Sequence, residues 1–220
     1  MSEAPIGILG GTFNPIHNGH LRSALEIRER LDLAELRLVP AAVPPHRPTP
    51  TLPAEVRADL VELALSGAEG LRCDRRELLR SGPSYTFDTL NELRSELGAE
   101  RSLCLVMGVD ALAGLHSWHR WKELLSLAHM IVIARPGYAL PDEGEVADFL
   151  EANPPQKADA LRHNPCGAVV VERLTPLEIS ATAIRGLVGA GRSPRYLVPE
   201  PVCEAILERG LYRDKPSNPE

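Results

Sequence analysis

Short apolar runs of strand length alternate with segments of helical period along this chain, and that alternation restricts the folds open to it. Residues 6–9 form the first apolar run, a segment with apolar side chains at helical spacing follows, and residues 36–39 form the second run. This pattern is typical of β–α units whose strands join one parallel sheet. We therefore predict an α/β fold with an open parallel sheet and helices on both of its faces.

The same criteria predict the remaining elements. Strands are predicted at residues 71–73, 103–107, 130–134 and 168–171, and helices at residues 54–66, from Thr86, at 121–127, 180–188 and 199–208. No regular element is predicted for the variable stretch at residues 136–165. With 220 residues the chain has the length of one large domain, predicted at residues 1–213, and the polar residues 214–220 are predicted to be a frayed tail.

Composition and charge exclude several classes of protein. The hydrophobic fraction of 44% and the charged fraction of 25% exclude wholesale disorder. Thirty acidic and 24 basic side chains give a net charge of −6, which argues against non-specific nucleic-acid binding. An anionic substrate therefore needs a local basic cluster. Charged residues interrupt every stretch of about 20 residues that could span a bilayer, so no membrane contact and a cytoplasmic protein are expected.

Cysteine and proline add two local expectations. The four cysteines form no Cys-x-x-Cys pair and are predicted to be buried thiols: Cys73, Cys104, Cys166 and Cys203. Six of the fourteen residues at 40–53 are proline, which fixes φ and lacks an N–H, so this segment is predicted to be an extended loop. The loop carries His46 and Arg47, and we hypothesise that residues 41–53 become ordered when nucleotide binds.

A glycine- and histidine-rich segment separates the first predicted strand from the first predicted helix. Residues 10–20 read Gly-Gly-Thr-Phe-Asn-Pro-Ile-His-Asn-Gly-His. Glycine lets a backbone approach a ligand closely, and N–H groups at a helix start favour phosphate. Asn18 is predicted to cap the helix, and His17 and His20 are spaced so that both imidazoles can face one phosphate. Surface caps and half of a metal site remain alternative interpretations of these histidines.

A second segment near the end of the chain has the residues of another anion site. Ser180 is predicted to cap a helix, and Arg185 adds a guanidinium group one turn later. Taken alone, residues 179–185 could equally be an ordinary capped amphipathic helix. The carboxyl ends of parallel strands meet at one edge of a sheet, where ligands bind in open α/β folds. Residues 10–11, 44–46, 108–110 and Arg135 are expected to converge there.

The two segments together resemble the signatures of the HxGH nucleotidyltransferase superfamily. The signature Gly-x-Phe-x-Pro-x-His-x-Gly-His is matched by Gly11, Phe13, Pro15, His17, Gly19 and His20. The signature Ser-x-Thr-x-x-Arg is matched by Ser180, Thr182 and Arg185. The resemblance implies a Rossmann-like fold of the nucleotidyltransferase type.

Further segments narrow the resemblance to the bacterial nicotinate-mononucleotide adenylyltransferases, and it covers essentially the whole chain. They are residues 43–48, 83–86, 108–110, Trp118 and residues 134–137. The resemblance implies transfer of AMP from ATP to nicotinate mononucleotide, which yields deamido-NAD and pyrophosphate. It implies Mg²⁺ carried by the ATP phosphates as the cofactor, with no metal ligands from the protein.

The resemblance also implies roles for single residues. His17, His20 and Arg185 are expected to be catalytic as donors to phosphate. The residues expected to bind ATP are Gly10, Gly11, Thr12, Phe13, His17, Gly19, His20, Gly108, Asp110, Arg135, Ser180, Thr182 and Arg185. Those expected to bind the mononucleotide are Asn14, His46, Arg47, Tyr85, Thr86, Asp110, Trp118 and His119.

The acid group and the ring of the mononucleotide have separate expected contacts. The resemblance places the nicotinate carboxylate at the backbone N–H groups of Thr86 and His119 and stacks the ring on Trp118. His119 departs from the tyrosine that often follows this tryptophan, so only a main-chain contact is carried over. The residues themselves leave structural alternatives open: Trp118 and Trp121 in the core, Asp110 as a helix cap, and Arg135 in a surface ion pair.

Other functions compete with this interpretation. Sibling enzymes would adenylylate nicotinamide mononucleotide or phosphopantetheine, or transfer a cytidylyl group. A fragment of a class I aminoacyl-tRNA synthetase should carry a lysine-rich second motif, and residues 179–185 contain no lysine. A nucleotide-binding regulator without turnover is the alternative from a different class.

Overall fold

The fold is described by a computed structural model that covers residues 3–45, 48–134, 139–175 and 177–213. The strands in these ranges are β1 (Ile6–Gly11), β2 (Glu35–Pro40), β3 (Leu71–Cys73), β4 (Leu103–Gly108), β5 (His129–Ala134) and β6 (Val169–Arg173). They pair in parallel in the order β3-β2-β1-β4-β5-β6. This is a Rossmann-like open sheet, so the predicted fold class is confirmed.

Helices connect the strands and cover the sheet. They are α1 (Asn18–Arg30), α2 (Ala54–Leu65), α3 (Thr86–Leu97), α4 (Val109–Ala113), α5 (Leu124–Leu127), α6 (Glu145–Ala152), α7 (Ala160–His163), α8 (Ala181–Gly189) and α9 (Glu200–Glu208). Short 3₁₀ helices occur at Arg76–Leu79, Leu115–Ser117 and Trp121–Glu123.

Two apolar cores lie on opposite faces of the sheet. Along β4, Leu103, Leu105 and Met107 belong to one core, and Cys104 and Val106 belong to the other. Successive side chains of a strand point to opposite faces, so a strand that is covered on both sides is a continuous apolar run. The core that contains Cys104 and Val106, the first core, is covered by α1, α2 and α7 to α9. The core that contains Leu103, Leu105 and Met107, the second core, is covered by α3 to α6.

Two local predictions and one open alternative need correction. Asn18 is the first residue of α1 and not its cap, since His17 holds the cap position with an extended backbone. The Asn18 side-chain Nδ2 donates instead to the carbonyl oxygen of Tyr196 at 2.9 Å. Asp110 is not a cap either, since Gly108 holds that position before α4 and Asp110 is an exposed residue of the first turn. The variable stretch contains α6 and α7, whose short apolar stripes lie among polar residues.

Other boundaries agree with the predictions to within two residues, and Ser180 caps α8 as predicted. Ser180 Oγ accepts a hydrogen bond from the backbone N–H of Ala183 at 3.1 Å. Trp121 is buried in the second core, which confirms the alternative that placed this side chain in the core. The tail predicted at residues 214–220 lies outside the described residues, so the division at residue 213 stays a prediction.

The four thiols are free and differ in burial. Cys104 and Cys203 are buried as predicted, whereas Cys73 and Cys166 are only half-buried, so the prediction is wrong for those two. Burial raises the pKa of the Cys104 thiol to about 12, which keeps it protonated and unreactive. No helix within the described ranges is both long and apolar enough to cross a bilayer.

A fully buried histidine joins β5 to the loop before β6. His129 Nδ1 accepts a hydrogen bond from the backbone N–H of Ala168 at 2.9 Å, and Nε2 lies 2.8 Å from the carbonyl oxygen of Asn164. An amide N–H can only donate, so the ring proton of the neutral imidazole resides on Nε2. Burial lowers the pKa of His129, and the hydrogen bond to Asn164 opposes that shift only in part.

We predict that His129 makes the fold sensitive to mild acid. Below a pH of about 6.5 the unfolded chain protonates this side chain while the folded chain does not, so the free energy of unfolding falls as the pH falls. In a His129→Gln variant this contribution is absent. The free energy of unfolding of the wild type, relative to that of the variant, should therefore decrease from pH 7.5 to pH 5.5. Urea unfolding at several pH values measures this difference, and a difference that stays constant or increases as the pH falls contradicts the assignment.

Candidate active site

The predicted site residues lie where the chain leaves the carboxyl ends of β1, β2 and β4. Strand β2 pairs with one edge of β1, and the chain later returns to place β4 at the other edge of β1. The loops that follow β1 and β4 therefore diverge. Ligands bind at such a reversal of strand order in open α/β sheets. Gly10 and Gly108 are exposed at these two strand ends, and a Cβ built on either meets nothing within 4 Å.

Two histidine side chains stack beside the end of β1. The rings of His17 and His20 are 3.7 Å apart between centroids and 28° from parallel. Phe13, which is buried and has a φ of 45°, presents its ring edge-on to His20 at 5.2 Å. Two glycines make room for these rings. A Cβ at Gly11 would lie 2.8 Å from the Phe13 ring, and one at Gly19 would lie 3.1 Å from the His17 ring. The signature residues therefore form one packed unit.

The second signature contacts the first directly. Arg185 Nη1 donates to the backbone carbonyl of Asn14 at 2.8 Å, and Nη2 donates to Thr182 Oγ1 at 3.2 Å. The N-terminus of α1 is tied to the same part of the chain, since the Asn18 N–H donates to the Leu197 carbonyl at 2.9 Å. Residues of the two signatures, which are 171 positions apart in sequence, are thus in contact, as expected if both signatures form one site. The arrangement gathers two imidazoles, one guanidinium group and the N-terminus of α8.

Asn14 is the centre of a cluster of hydrogen bonds with Thr51 and Tyr212, here called the Asn14 hub, that the sequence did not reveal. Its buried side-chain amide donates to Thr51 Oγ1 at 3.1 Å, and its Oδ1 accepts from the Tyr212 hydroxyl at 2.9 Å. Burial raises the pKa of Tyr212 above its ordinary value, so the phenol stays a donor. Asn14 was expected to contact the mononucleotide, and that role stays a prediction. The structure places its amide between the proline-rich loop and Tyr212, which follows α9.

Arg57 is a second buried residue beside the site that was not predicted from the sequence. Arg57 of α2 is 1% exposed and donates to backbone carbonyls that include Thr12 at 2.6 Å and Ala41 at 2.7 Å. A charged residue at a position where α2 faces the core was a usable signal, because neighbouring core positions such as Leu60 and Val61 are apolar.

The residues expected around the pyridine ring form an aromatic cluster. Tyr85 and His119 stack with centroids 4.4 Å apart at 29°, and Phe87 meets His119 edge-on at 6.3 Å. Trp118 is half-buried against the second core, so its core alternative holds in part and its role in stacking on the ring stays a prediction. Thr86 is the first residue of α3, where backbone N–H groups have no partner within the helix.

This cluster is joined to the proline-rich loop. Ser84 Oγ accepts from the N–H groups of Ala42 and Val43 at 2.9 and 3.2 Å, and the Ser84 N–H donates back to the Val43 carbonyl at 2.9 Å. In turn the Ala41 N–H donates to the carbonyl of Gly11 at 2.9 Å. A continuous set of backbone contacts therefore links the histidine pair to the aromatic cluster.

Three predicted site residues cannot be placed. His46, Arg47 and Arg135 lie outside the described residues, so their roles stay predictions. Within the described parts of the chain no group of three or more histidine, cysteine or acidic side chains is arranged to hold a metal ion. The donors gathered at this edge are imidazole, guanidinium and backbone N–H groups, which suit phosphate.

We predict a measurable cost for the bond between Tyr212 and Asn14. Tyr212→Phe removes only the donor hydroxyl and should lower the free energy of unfolding by about 1 kcal/mol in urea titrations, the usual contribution of one such hydrogen bond. Tyr196→Phe is the matched control, because that ring is 84% exposed and its change should have no measurable effect. Equal effects of the two substitutions would remove Tyr212 from the hub.

Comparison with known proteins agrees with this geometry. Residues 8–187 match the family model described as cytidylyltransferase-like. A "Probable nicotinate-nucleotide adenylyltransferase" of Halorhodospira halophila is 50% identical over 211 residues, which are 94% of each chain. One with the same name from Aeromonas hydrophila is 48% identical over 213 residues, 97% of this chain and 99% of the relative.

Solved structures extend the likeness to the fold. The nicotinic acid mononucleotide adenylyltransferase of Plasmodium falciparum complexed with NaAD superposes with a TM-score of 0.72 at 16% identity, over 96% of this chain and 98% of that one. At that identity the match bears on the fold alone, and it agrees with the sheet order found here. The extent of the sequence matches decides the family: the chain belongs to the nicotinate-nucleotide adenylyltransferases, within the cytidylyltransferase-like proteins.

Proposed function

We propose that this protein transfers AMP from Mg·ATP to nicotinate mononucleotide, which produces deamido-NAD and pyrophosphate in the biosynthesis of NAD. The observation that carries the proposal is the contact of the two signatures at the end of β1. There Arg185 binds the Asn14 carbonyl at 2.8 Å beside the stacked pair of His17 and His20. Family membership agrees with it, since relatives about 50% identical over 94% of the chain carry this activity in their names.

The reaction needs positioning and charge stabilisation more than a reactive side chain. An oxygen of the mononucleotide 5′-phosphate attacks the α-phosphorus of ATP, a new P–O bond forms, and the bond to the bridging oxygen of pyrophosphate breaks. The attacking phosphate is already ionised near neutral pH, so a dedicated general base is unnecessary. Donors aimed at the phosphate oxygens then provide most of the acceleration.

The residues divide this task as follows. His17 and His20 donate hydrogen bonds to the ATP phosphates beside Gly10, where the end of β1 is open. The start of α8 at Ser180, together with Arg185, stabilises the departing pyrophosphate, because helix N-termini and guanidinium groups favour anions. Thr182, whose hydroxyl accepts from Arg185, keeps that guanidinium oriented. Gly108 and Asp110 at the end of β4 face the ribose on the other side of the crevice.

Mg²⁺ enters this scheme with ATP as part of the substrate. The ion prefers oxygen ligands such as phosphate, carboxylate and water. Asp110 is the acidic member of the predicted ATP site, and the donors nearest β1 are cationic or neutral nitrogen groups. In this proposal phosphate oxygens and water would supply its ligands.

The aromatic cluster provides the acceptor pocket in this proposal. Trp118 stacks on the pyridine ring, Tyr85 lines the pocket, and the backbone N–H groups of Thr86 and His119 bind the carboxylate. His46 and Arg47 of the proline-rich loop bind the mononucleotide phosphate, and Arg135 contacts the ATP. Cationic groups from three segments then offset the net charge of −6 near the substrates.

The acceptor is tested by pyrophosphate release. Purified protein with Mg·ATP is given nicotinate mononucleotide, nicotinamide mononucleotide or phosphopantetheine in parallel reactions. We expect fast release with the nicotinate acceptor, because its carboxylate is the group that the Thr86 and His119 amides recognise. Preference for another acceptor would overturn the roles of Trp118 and Thr86, and release with none of them would point to a non-catalytic nucleotide-binding protein.

The donor role of His20 predicts a specific loss of turnover. His20→Ala should lower kcat by about 10²–10³-fold while the circular dichroism spectrum is unchanged, as is typical when one preorganised donor to a transition-state charge is removed. His163→Ala is the matched control: this exposed histidine ends α7 at the opposite edge of the sheet, and its loss should leave kcat unaltered. Normal turnover in a folded His20→Ala protein would remove the histidine from the mechanism.

A further inference from the structure

The buried side chain of Arg57 gathers carbonyl groups from three separate segments. Nη1 donates to Thr12 at 2.6 Å, Nη2 donates to Ala41 at 2.7 Å and to Ala42 at 3.2 Å, and Nε donates to Leu52 at 3.2 Å. The guanidinium group is planar and presents five N–H donors in a fixed fork. One side chain thus fixes the relative positions of four backbone groups.

These carbonyls belong to the segments that surround the proposed phosphate site. Thr12 follows β1 and precedes the stacked histidines, Ala41 and Ala42 begin the proline-rich loop after β2, and Leu52 ends that loop before α2. Arg57 therefore ties both ends of the proline-rich loop to the turn between β1 and α1. A shift of this side chain would move the donors on either side of the substrates together.

The charge of Arg57 is as informative as its hydrogen bonds. Within the described ranges no carboxylate lies within 4 Å of it; its partners are carbonyl dipoles and, nearby, the Tyr212 phenol. Burial lowers the pKa of Arg57, but a guanidinium group stays protonated in proteins. A buried charge without a counter-charge is unfavourable, and an anion bound next to Thr12 would offset it.

We propose that Arg57 is a positioning residue for AMP transfer. Through Thr12, Ala41 and Leu52 it fixes the phosphate-binding turn relative to the proline-rich loop. Its buried positive charge also stabilises the bound triphosphate. The identity of the reaction rests on the proposed function, whereas the coupling of the two segments rests on the contacts of Arg57 alone.

The chain offers a matched control at the other edge of the sheet. Arg94 of α3 is half-buried and also donates to carbonyls from several loops: those of Gly98, Ala99, Arg101, Leu127 and Pro165. These loops precede β4, β5 and β6 and so lie at the amino ends of the strands. Arg94→Met removes a comparable set of hydrogen bonds far from the proposed substrates.

The test compares Arg57→Met, Arg57→Lys and Arg94→Met in steady-state kinetics and thermal unfolding. Both methionine variants should be less stable than the wild type, and only Arg57→Met should lose kcat/KM for ATP, by about 10²-fold, the usual cost of displacing reacting groups by an ångström. Arg57→Lys keeps the charge but not the fork, so its KM for ATP should stay near the wild-type value while its kcat falls. A merely structural role predicts no such division between KM and kcat.

Hydrogen exchange supplies a measurement that needs no turnover. Without substrate, amides in residues 10–17 should exchange faster in Arg57→Met than in the wild type, and in Arg94→Met they should not. If the wild type releases no pyrophosphate, the proposed function fails and this exchange experiment still decides the positioning role. If Arg57→Met does not fold, Arg57→Lys decides it.

Two results would overturn the proposal. One is a folded Arg57 variant whose kcat/KM stays within about twofold of the wild type. The other is an equal loss of kcat/KM in Arg57→Met and Arg94→Met, which would mean that activity follows overall stability.

Discussion

The parallel pairing of β1 with a strand on each side is the constraint on which the rest of the structure depends. β1 pairs with β2 along its whole length, from Ile6 opposite Glu35 to Gly11 opposite Pro40, and with β4 on its other edge. Because both neighbours run in the same direction, three strands end together, and the loops that leave them must share one edge. The crevice, the histidine pair and the proline-rich loop all take their positions from that arrangement.

Guanidinium groups hold the loops at both edges of the sheet. A loop that follows a buried parallel strand has carbonyl groups that no neighbouring strand can satisfy, and leaving them without partners is costly. Arg57 satisfies several such carbonyls at the carboxyl edge and Arg94 does so at the amino edge. Each arginine lies on a helix packed beside the strands, so loop positions are fixed by the same packing that forms the two cores.

The sequence predicted the sheet and most element boundaries, because strand length, helical period and residue spacing are local properties. It predicted the Ser180 cap for the same reason. That the two signatures meet was expected from the resemblance to the HxGH superfamily, since the residues in contact are 171 positions apart. The local pattern failed for Asn18, whose side chain turns to a carbonyl 178 residues away, and it missed the Asn14 hub, whose partners Thr51 and Tyr212 are 37 and 198 residues distant. Such contacts depend on tertiary packing, and nothing in the local pattern announces them.

The bond between Tyr212 and Asn14 has a consequence for the order of events during synthesis. Asn14 is synthesised before its hydroxyl partner, which is added 198 residues later. β1 and α1 can pair and pack while the chain grows, since their contacts with β2 are close in sequence. The turn between them can form this hydrogen bond only after residue 212 has been added, so a nascent chain that already contains both histidines still lacks one of the contacts that support their site.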